Sequence, residues 1–193
     1  MTDLELIEVN LLNILLIDNP SEDIQVKVVT ECPRLIQYLS NPSVRVQLTA
    51  VNIDPRSIRW ITNPSEGVQL FSVGKMGVAI QYIKNPSEKV KMTAVKCNSR
   101  AILFIKDPSE EIQLEAIRKE PGIIAFITNP TEKVQLETVK INVWDGALIG
   151  TKIPERVQLE MISIDIETIS IITNPTKKVL DIVKQKLLKN IDQ

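Results

Sequence analysis

Prolines recur at Pro20, Pro42, Pro64, Pro86, Pro108 and Pro130, each 22 residues after the last. The word around them recurs as well: Asn63-Pro64-Ser65-Glu66, Asn85-Pro86-Ser87-Glu88, Asp107-Pro108-Ser109-Glu110 and Asn129-Pro130-Thr131-Glu132. An equal spacing kept this long confines the chain to a stack of small identical units, none of which can hide its apolar side without a neighbour. With the Asn or Asp as position 1, the unit reads N-P-S-E-x-V-Q-L-x-A-V, a linking stretch, and I-x-x-I near the end. The register slips once, because Pro130 and Pro175 are 45 residues apart, one more than two repeats.

Each unit reads as two helices. Asn or Asp at position 1 is the expected N-cap, proline the first helical residue, and glutamate at position 4 the partner in a capping box that also suits the helix dipole. Positions 6, 8, 10 and 11 fall on one broad apolar arc and positions 5, 9 and 12 on the opposite, polar side. The helix is predicted to end near position 13, where Pro33, Pro55 or Pro121 follows and disfavours helix in the residue before it. A short second helix is predicted over positions 16–21, carrying apolar pairs three apart such as Ile58 and Ile61, or Ile102 and Ile105. The fold class is therefore all-α, a solenoid of 22-residue two-helix repeats. Residues 1–193 form a single repeat domain: an N-terminal partial repeat (1–18), seven repeats (19–173) with the slip at 144–151, and a C-terminal cap helix (174–193).

The N-P-S-E-x-V opening, the A-V pair, the later proline and the I-x-x-I close, as in Asp107 to Ile127, resemble the leucine-rich repeat variant family. More loosely they resemble the HEAT and armadillo solenoids. The resemblance covers nearly the whole chain and implies a right-handed superhelix of alternating long and short helices. It implies little about function, since sites are grafted on folds. Gln stands where that family often has Arg. The N-terminal iron–sulfur cluster of one member type is not carried over, because the chain has no cysteine cluster.

Composition narrows the chemistry. Formal net charge is −1, so no global pull toward nucleic acid or membrane exists. No apolar run approaches the roughly 18 residues of a membrane span. The apolar stretch Leu11 to Ile17 follows Asp3, Glu5 and Glu8, whereas a secretory signal needs a positive flank. A soluble, cytoplasmic protein is expected. Cys32 and Cys97 form no CxxC and lie about three repeats apart, which fits neither a disulfide framework nor a zinc site. Histidine is absent, which removes Ser-His-Asp and Cys-His nucleophile pairs and most catalytic metal sites. No catalytic residue, metal or cofactor is expected.

Several features stand out against the repeat. A glutamine column at position 7 (Gln25, Gln47, Gln69, Gln113, Gln135, Gln158) falls inside the apolar arc. It reads first as a hydrogen-bonded ladder between units and second as a ligand-lining row. An aromatic column at position 20 (Tyr38, Trp60, Tyr82, Phe104, Phe126) reads first as packing and second as an exposed stacking surface. Residues 34–100 hold ten basic and three acidic groups, a belt of +7 in a nearly neutral chain. Within it Arg34, Arg56 and Arg100 share position 16, with Arg59 one turn along beside Trp60. These suit an acidic protein surface or a phosphate backbone, or form an ordinary solvated ridge. In the third repeat Gly67, Phe71 and Gly74 occupy the polar side, as if two glycines bare an exposed Phe for a partner. Trp144 lies in the register slip, either exposed or filling the wedge that the slip opens.

The candidate binding residues are thus Arg34, Arg56, Arg59, Trp60, Phe71, Arg100 and Trp144. The leading expectation is a non-catalytic protein–protein interaction scaffold, inhibitor or adaptor whose partner is another protein. Nucleic-acid or nucleotide binding through residues 34–100 is the alternative. A remote third is a repeat DNA glycosylase, since AlkD-type enzymes are also helical-repeat solenoids; that chemistry needs a carboxylate in a dry, positively lined pocket, and Asp54, beside Pro55 and Arg56, is the nearest candidate.

Overall fold

The structure, a computed structural model, describes residues 2–150 and 152–191, without the side chains of Asn190 and Ile191. It divides into two compact units, Met1–Ile105 and Lys106–Gln193. In the first unit long helices α1 (Asp3–Val9), α2 (Glu22–Glu31), α3 (Val44–Ile53), α4 (Glu66–Lys75) and α5 (Glu88–Cys97) alternate with short ones. The short helices are η1 (Leu11–Leu16), η2 (Pro33–Tyr38), η3 (Pro55–Trp60), η4 (Gly77–Tyr82) and η5 (Ser99–Phe104), all of 3₁₀ type. The second unit repeats the pattern as α6 (Glu110–Lys119), η6 (Pro121–Phe126), α7 (Glu132–Ile141), η7 (Val143–Leu148), α8 (Glu155–Ile164), η8 (Ile166–Ile171) and α9 (Lys177–Ile191). The all-helical repeat of long and short helices is as predicted, and the described residues contain no strand. Met1, Thr151 and the last two residues of the expected cap lie outside the described residues.

The second repeat shows why the unit folds this way. Val46, Ala50 and Val51 of α3 and Ile58 and Ile61 at η3 are buried. These are positions 6, 10, 11, 18 and 21. The first three form one stripe at helical spacing, and the last two eclipse at three residues per turn. Full burial of such a valine or isoleucine contributes about 1.5–3 kcal/mol. Within each unit, helices pack against the ones next to them in sequence. Leu48 at position 8 is only half-buried in this repeat, whereas Leu114 and Leu136 at the same position are buried.

The helix start differs from expectation. The N-cap of α3 is Ser43, whose Oγ accepts from the Val46 N–H, and Ser65, Ser87, Ser109 and Thr131 do the same in later repeats. Position 3 is therefore the cap, position 4 the first helical residue, and no capping box forms in these repeats. The Asn or Asp at position 1 takes left-handed backbone instead, with φ between 48° and 55° at Asn19, Asn41, Asn63, Asn85, Asp107 and Asn129. Asn and Asp are the non-glycine residues that visit this region most readily, so the recurring word specifies a turn before the cap. The glutamate at position 4 has another task. Glu22 accepts from the hydroxyl of Ser43, Glu66 from Ser87 and Glu110 from Thr131, so each such carboxylate ties its helix to the cap of the following one.

The short helices start at position 15 rather than 16, and in five of those described a side chain at position 14 caps the start. Asn10, Asp54, Asn98, Asn142 and Asp165 each accept from the N–H two residues on. The slip is resolved by Gly150. Ile149 continues in right-handed helical backbone (φ −67°, ψ −23°) where other short helices end extended, and Gly150 then turns at φ 95°. That φ is open to glycine without steric cost, and it replaces the missing Asn-Pro turn.

Candidate functional site

Glutamine at position 7 is structural. Its Nε2 donates to the position 2 carbonyl of its own repeat in all six cases, for example Gln47 to Pro42 at 2.8 Å and Gln113 to Pro108 at 2.9 Å. The predicted bond between repeats exists only at Gln158, which also donates to the Asn174 carbonyl (3.2 Å) and accepts from Thr176 N–H (3.0 Å). The column is therefore a clamp on each turn, and the ladder between repeats runs through the position 4 carboxylates.

The aromatic column is not packed in the core, which overturns the first reading. Tyr38 and Phe104 are exposed, Phe126 is 66% exposed, and Trp60 and Tyr82 are half-buried. Position 20 is the last residue of the short helix, and the chain turns inward at position 21. The ring is left at the outer side of the turn.

At one of these positions predicted residues come together. The Arg59 guanidinium carbon lies over the ring of Trp60, 5.4 Å from its centre, and over the ring of Tyr82 in the next repeat, 5.0 Å from its centre. Both are within the range of cation–π attraction. Arg59 makes no ion pair or hydrogen bond with another described residue, nor does the exposed Lys84. The three side chains and Lys84 line a cleft of about 400 Å³ floored by residues 61–64 and Gln69. Tyr82 and Lys84 were not among the sequence candidates. The signal was available: position 19 of one repeat meets position 20 of the next, so an Arg at 59 pairs with an aromatic at 82.

The other arginines differ. Arg56 Nε bonds Asp54 at 3.0 Å, and this raises the Arg56 pKa while holding the Asp54 carboxyl below its usual range, chiefly through that hydrogen bond. Asp54 also caps η3, as Asn98 caps η5 and Asn142 caps η7, so its carboxylate has a structural task that an amide performs in those two repeats. Arg34 is exposed on η2, and Arg100 is exposed on η5 with its own partner.

Phe71 forms a second, separate feature on α4. Its ring is 39% exposed, the Lys75 ammonium lies 5.4 Å from its centre, and it borders an open apolar hollow of about 700 Å³ with Val44, Leu48, Thr49 and Asn52. Gly67 and Gly74 are exposed beside it, as predicted; a methyl at Gly74 would meet nothing within 4 Å. The neighbouring repeat adds to this bareness, because Val44, 53% exposed, stands where other repeats have glutamate. The hollow shares no lining residue with the Arg59 cleft. Trp144, in the other unit, is exposed on η7, so it does not fill a wedge. Gly146 of the same short helix is buried, and the space where its Cβ would stand is taken by the Met161 side chain.

Among the described residues no cluster of acidic or thiol side chains could hold a metal, and no helix is long and apolar enough to cross a membrane. Comparison with protein-family models, with curated proteins and with solved structures returns no match.

Proposed function

We propose that this chain is a non-catalytic binding module of the leucine-rich repeat variant type, a cytoplasmic scaffold, inhibitor or adaptor that recognises another protein. The observation that carries the reading is Arg59, held over Trp60 and Tyr82 at the rim of an open cleft with all its N–H groups uncommitted to carboxylates. Arginine and large aromatics are the side chains that most often dominate protein interfaces. The exposed Phe71, bared by two glycines, supplies an apolar anchor of the same kind on another face.

Affinity purification from the native host, with the intact chain as bait, tests this. A specific partner should be retained by the unaltered chain and lost on Arg59→Glu or Phe71→Ala, with helical content unchanged. Retention by both variants would contradict the assignment.

The basic belt of residues 34–100 favours one second reading, nucleic-acid binding. It would require micromolar affinity for a generic oligonucleotide with a steep loss on raising salt. Three of the belt's arginines bear on this: Arg45 and Arg56 already face carboxylates, and Arg100 has a partner. That leaves fewer free cations than the count of charges implies, and ranks this reading second.

A further inference from the structure

The way Arg59 is held selects a class of partner. The Arg59 side chain contacts two rings and makes no hydrogen bond or ion pair with another described residue, so its five N–H donors, a planar fork suited to a carboxylate, are available. Lys84 adds a second uncommitted cation at the rim of the same cleft. The repeat builds a groove of this shape elsewhere: one of about 360 Å³ lies at the same repeat positions around Asn19, Pro20 and Gln25. There Leu15, Asp18 and Ser40 stand where Arg59, Thr62 and Lys84 stand. The groove comes from the repeat, and of these two only the Arg59 cleft carries positive charge.

Spacing adds a second constraint. Trp60 and Tyr82 hold the same position in successive repeats, so their spacing follows that of packed helices, about 8–10 Å; their contacts to one guanidinium at 5.4 and 5.0 Å set an upper bound of about 10 Å consistent with this. A polyproline chain advances about 3.1 Å per residue with three residues per turn, so three residues span one repeat and every third side chain returns to the same side. Three stacked bases, at about 3.4 Å each, would span the same distance, so the oligothymidylate arm of the test separates the two ligands.

We propose that the short-helix face of the first unit takes an extended acidic peptide from a partner protein. A carboxylate sits on Arg59 and Lys84, and every third side chain lies on a ring of the Tyr38–Trp60–Tyr82 row. The proposal rests on the binding-module reading and names its ligand.

The test is fluorescence anisotropy with the full chain and labelled dodecapeptides. The probe is a run of Pro-Glu-Glu triplets. Controls are Pro-Glu-Glu-Glu quartets of the same length, Pro-Lys-Lys triplets, and oligothymidylate of equal charge. The triplet peptide should bind at least about tenfold tighter than each control. Arg59→Glu and Trp60→Ala should each weaken it about tenfold or more, Arg59→Lys should weaken it less than Arg59→Glu, and Lys89→Glu on the exposed side of α5 should change it little. Circular dichroism confirms that each variant is folded. Equal affinity for triplets and quartets, oligothymidylate bound as tightly, or equal effects of Arg59→Glu and Lys89→Glu would overturn the proposal. So would self-association of the chain through this face, seen by sedimentation and abolished by Arg59→Glu. If the peptides fail while Arg59→Glu still abolishes partner capture, only the extended-peptide inference falls; if capture survives both Arg59→Glu and Phe71→Ala, the binding-module reading falls with it.

Discussion

Two glycines three residues apart, Gly74 and Gly77, carry opposite consequences. Gly77 opens η4 where a Cβ would strike the Ala94 carbonyl oxygen and come within 3.0 Å of the Asn98 backbone nitrogen, so its neighbours there are backbone and cannot give way. Gly74 sits near the end of α4 in open space. Gly77→Ala should therefore cost about 1–3 kcal/mol by overpacking, while Gly74→Ala should stabilise by roughly 0.5–1 kcal/mol through helix propensity. Urea unfolding of the two variants checks both signs. If Gly74 is kept to bare Phe71, the stabilised variant should also bind its partner less tightly. At position 1, Asn63 has a φ of 51°. Asn63→Val should cost about 1–2 kcal/mol, since a Cβ-branched residue is strained in left-handed backbone; a variant unfolding at the same urea concentration as the parent would contradict this. The Asn-Pro-Ser word was legible as a helix start, but which of its residues caps was not. Asn and Ser are equally good caps, and the choice is settled by a turn that Asn makes with positive φ, a property of three residues acting together.

Between elements, the third and fourth repeats make an internal comparison. Ser87 caps α5 and also donates to Glu66 of α4, whereas Ser65 caps α4 but faces Val44, so that rung is missing between α3 and α4. Ser65→Ala should cost about 1 kcal/mol, the worth of a cap, and Ser87→Ala more. Val44→Glu should restore the rung and raise the thermal midpoint, measured by calorimetry. The same carboxylates set the acid limb of stability. The Ser43 hydroxyl and then Arg45 hold the Glu22 carboxyl below its ordinary 4.5, and Thr131 and Lys133 do so for Glu110. A pKa lowered on folding means that the unfolded chain binds the proton more readily. The contribution is complete above the ordinary carboxylate value and is lost as pH falls through the lowered one. With no histidine in the chain, the thermal midpoint should be nearly flat from about pH 6 to 8 and fall below about pH 4.5. Glu22→Gln should make the acid fall shallower; an unchanged fall would sink the ladder's role. None of this was legible beforehand, because position 4 meets position 3 of the next repeat only after stacking, and a sequence shows bonds within a repeat far better than bonds across it.

At the scale of each unit, the period was enough to give the element order, and local chemistry decided the rest. Helix, cap and turn signals are short-range and recur, so the alternation of long and short helices could be read directly. The Arg59–Trp60–Tyr82 cluster could be read only in part, because it depends on which positions of successive repeats come face to face. Phe71 was legible because it broke the pattern of its own repeat. Contacts in the first unit join helices near one another in the chain, and such quasi-one-dimensional packing makes stability a sum of local and neighbour terms. Ile36, 1% exposed in η2, tests this. Ile36→Ala should cost about 2–5 kcal/mol locally. In native-state hydrogen exchange, amide protection should fall most in α2, η2 and α3, and least in α5, three helices further along. A uniform loss across all five long helices of the unit would mean that it unfolds as one cooperative block, and that the repeats are coupled far more tightly than their nearest-neighbour contacts provide.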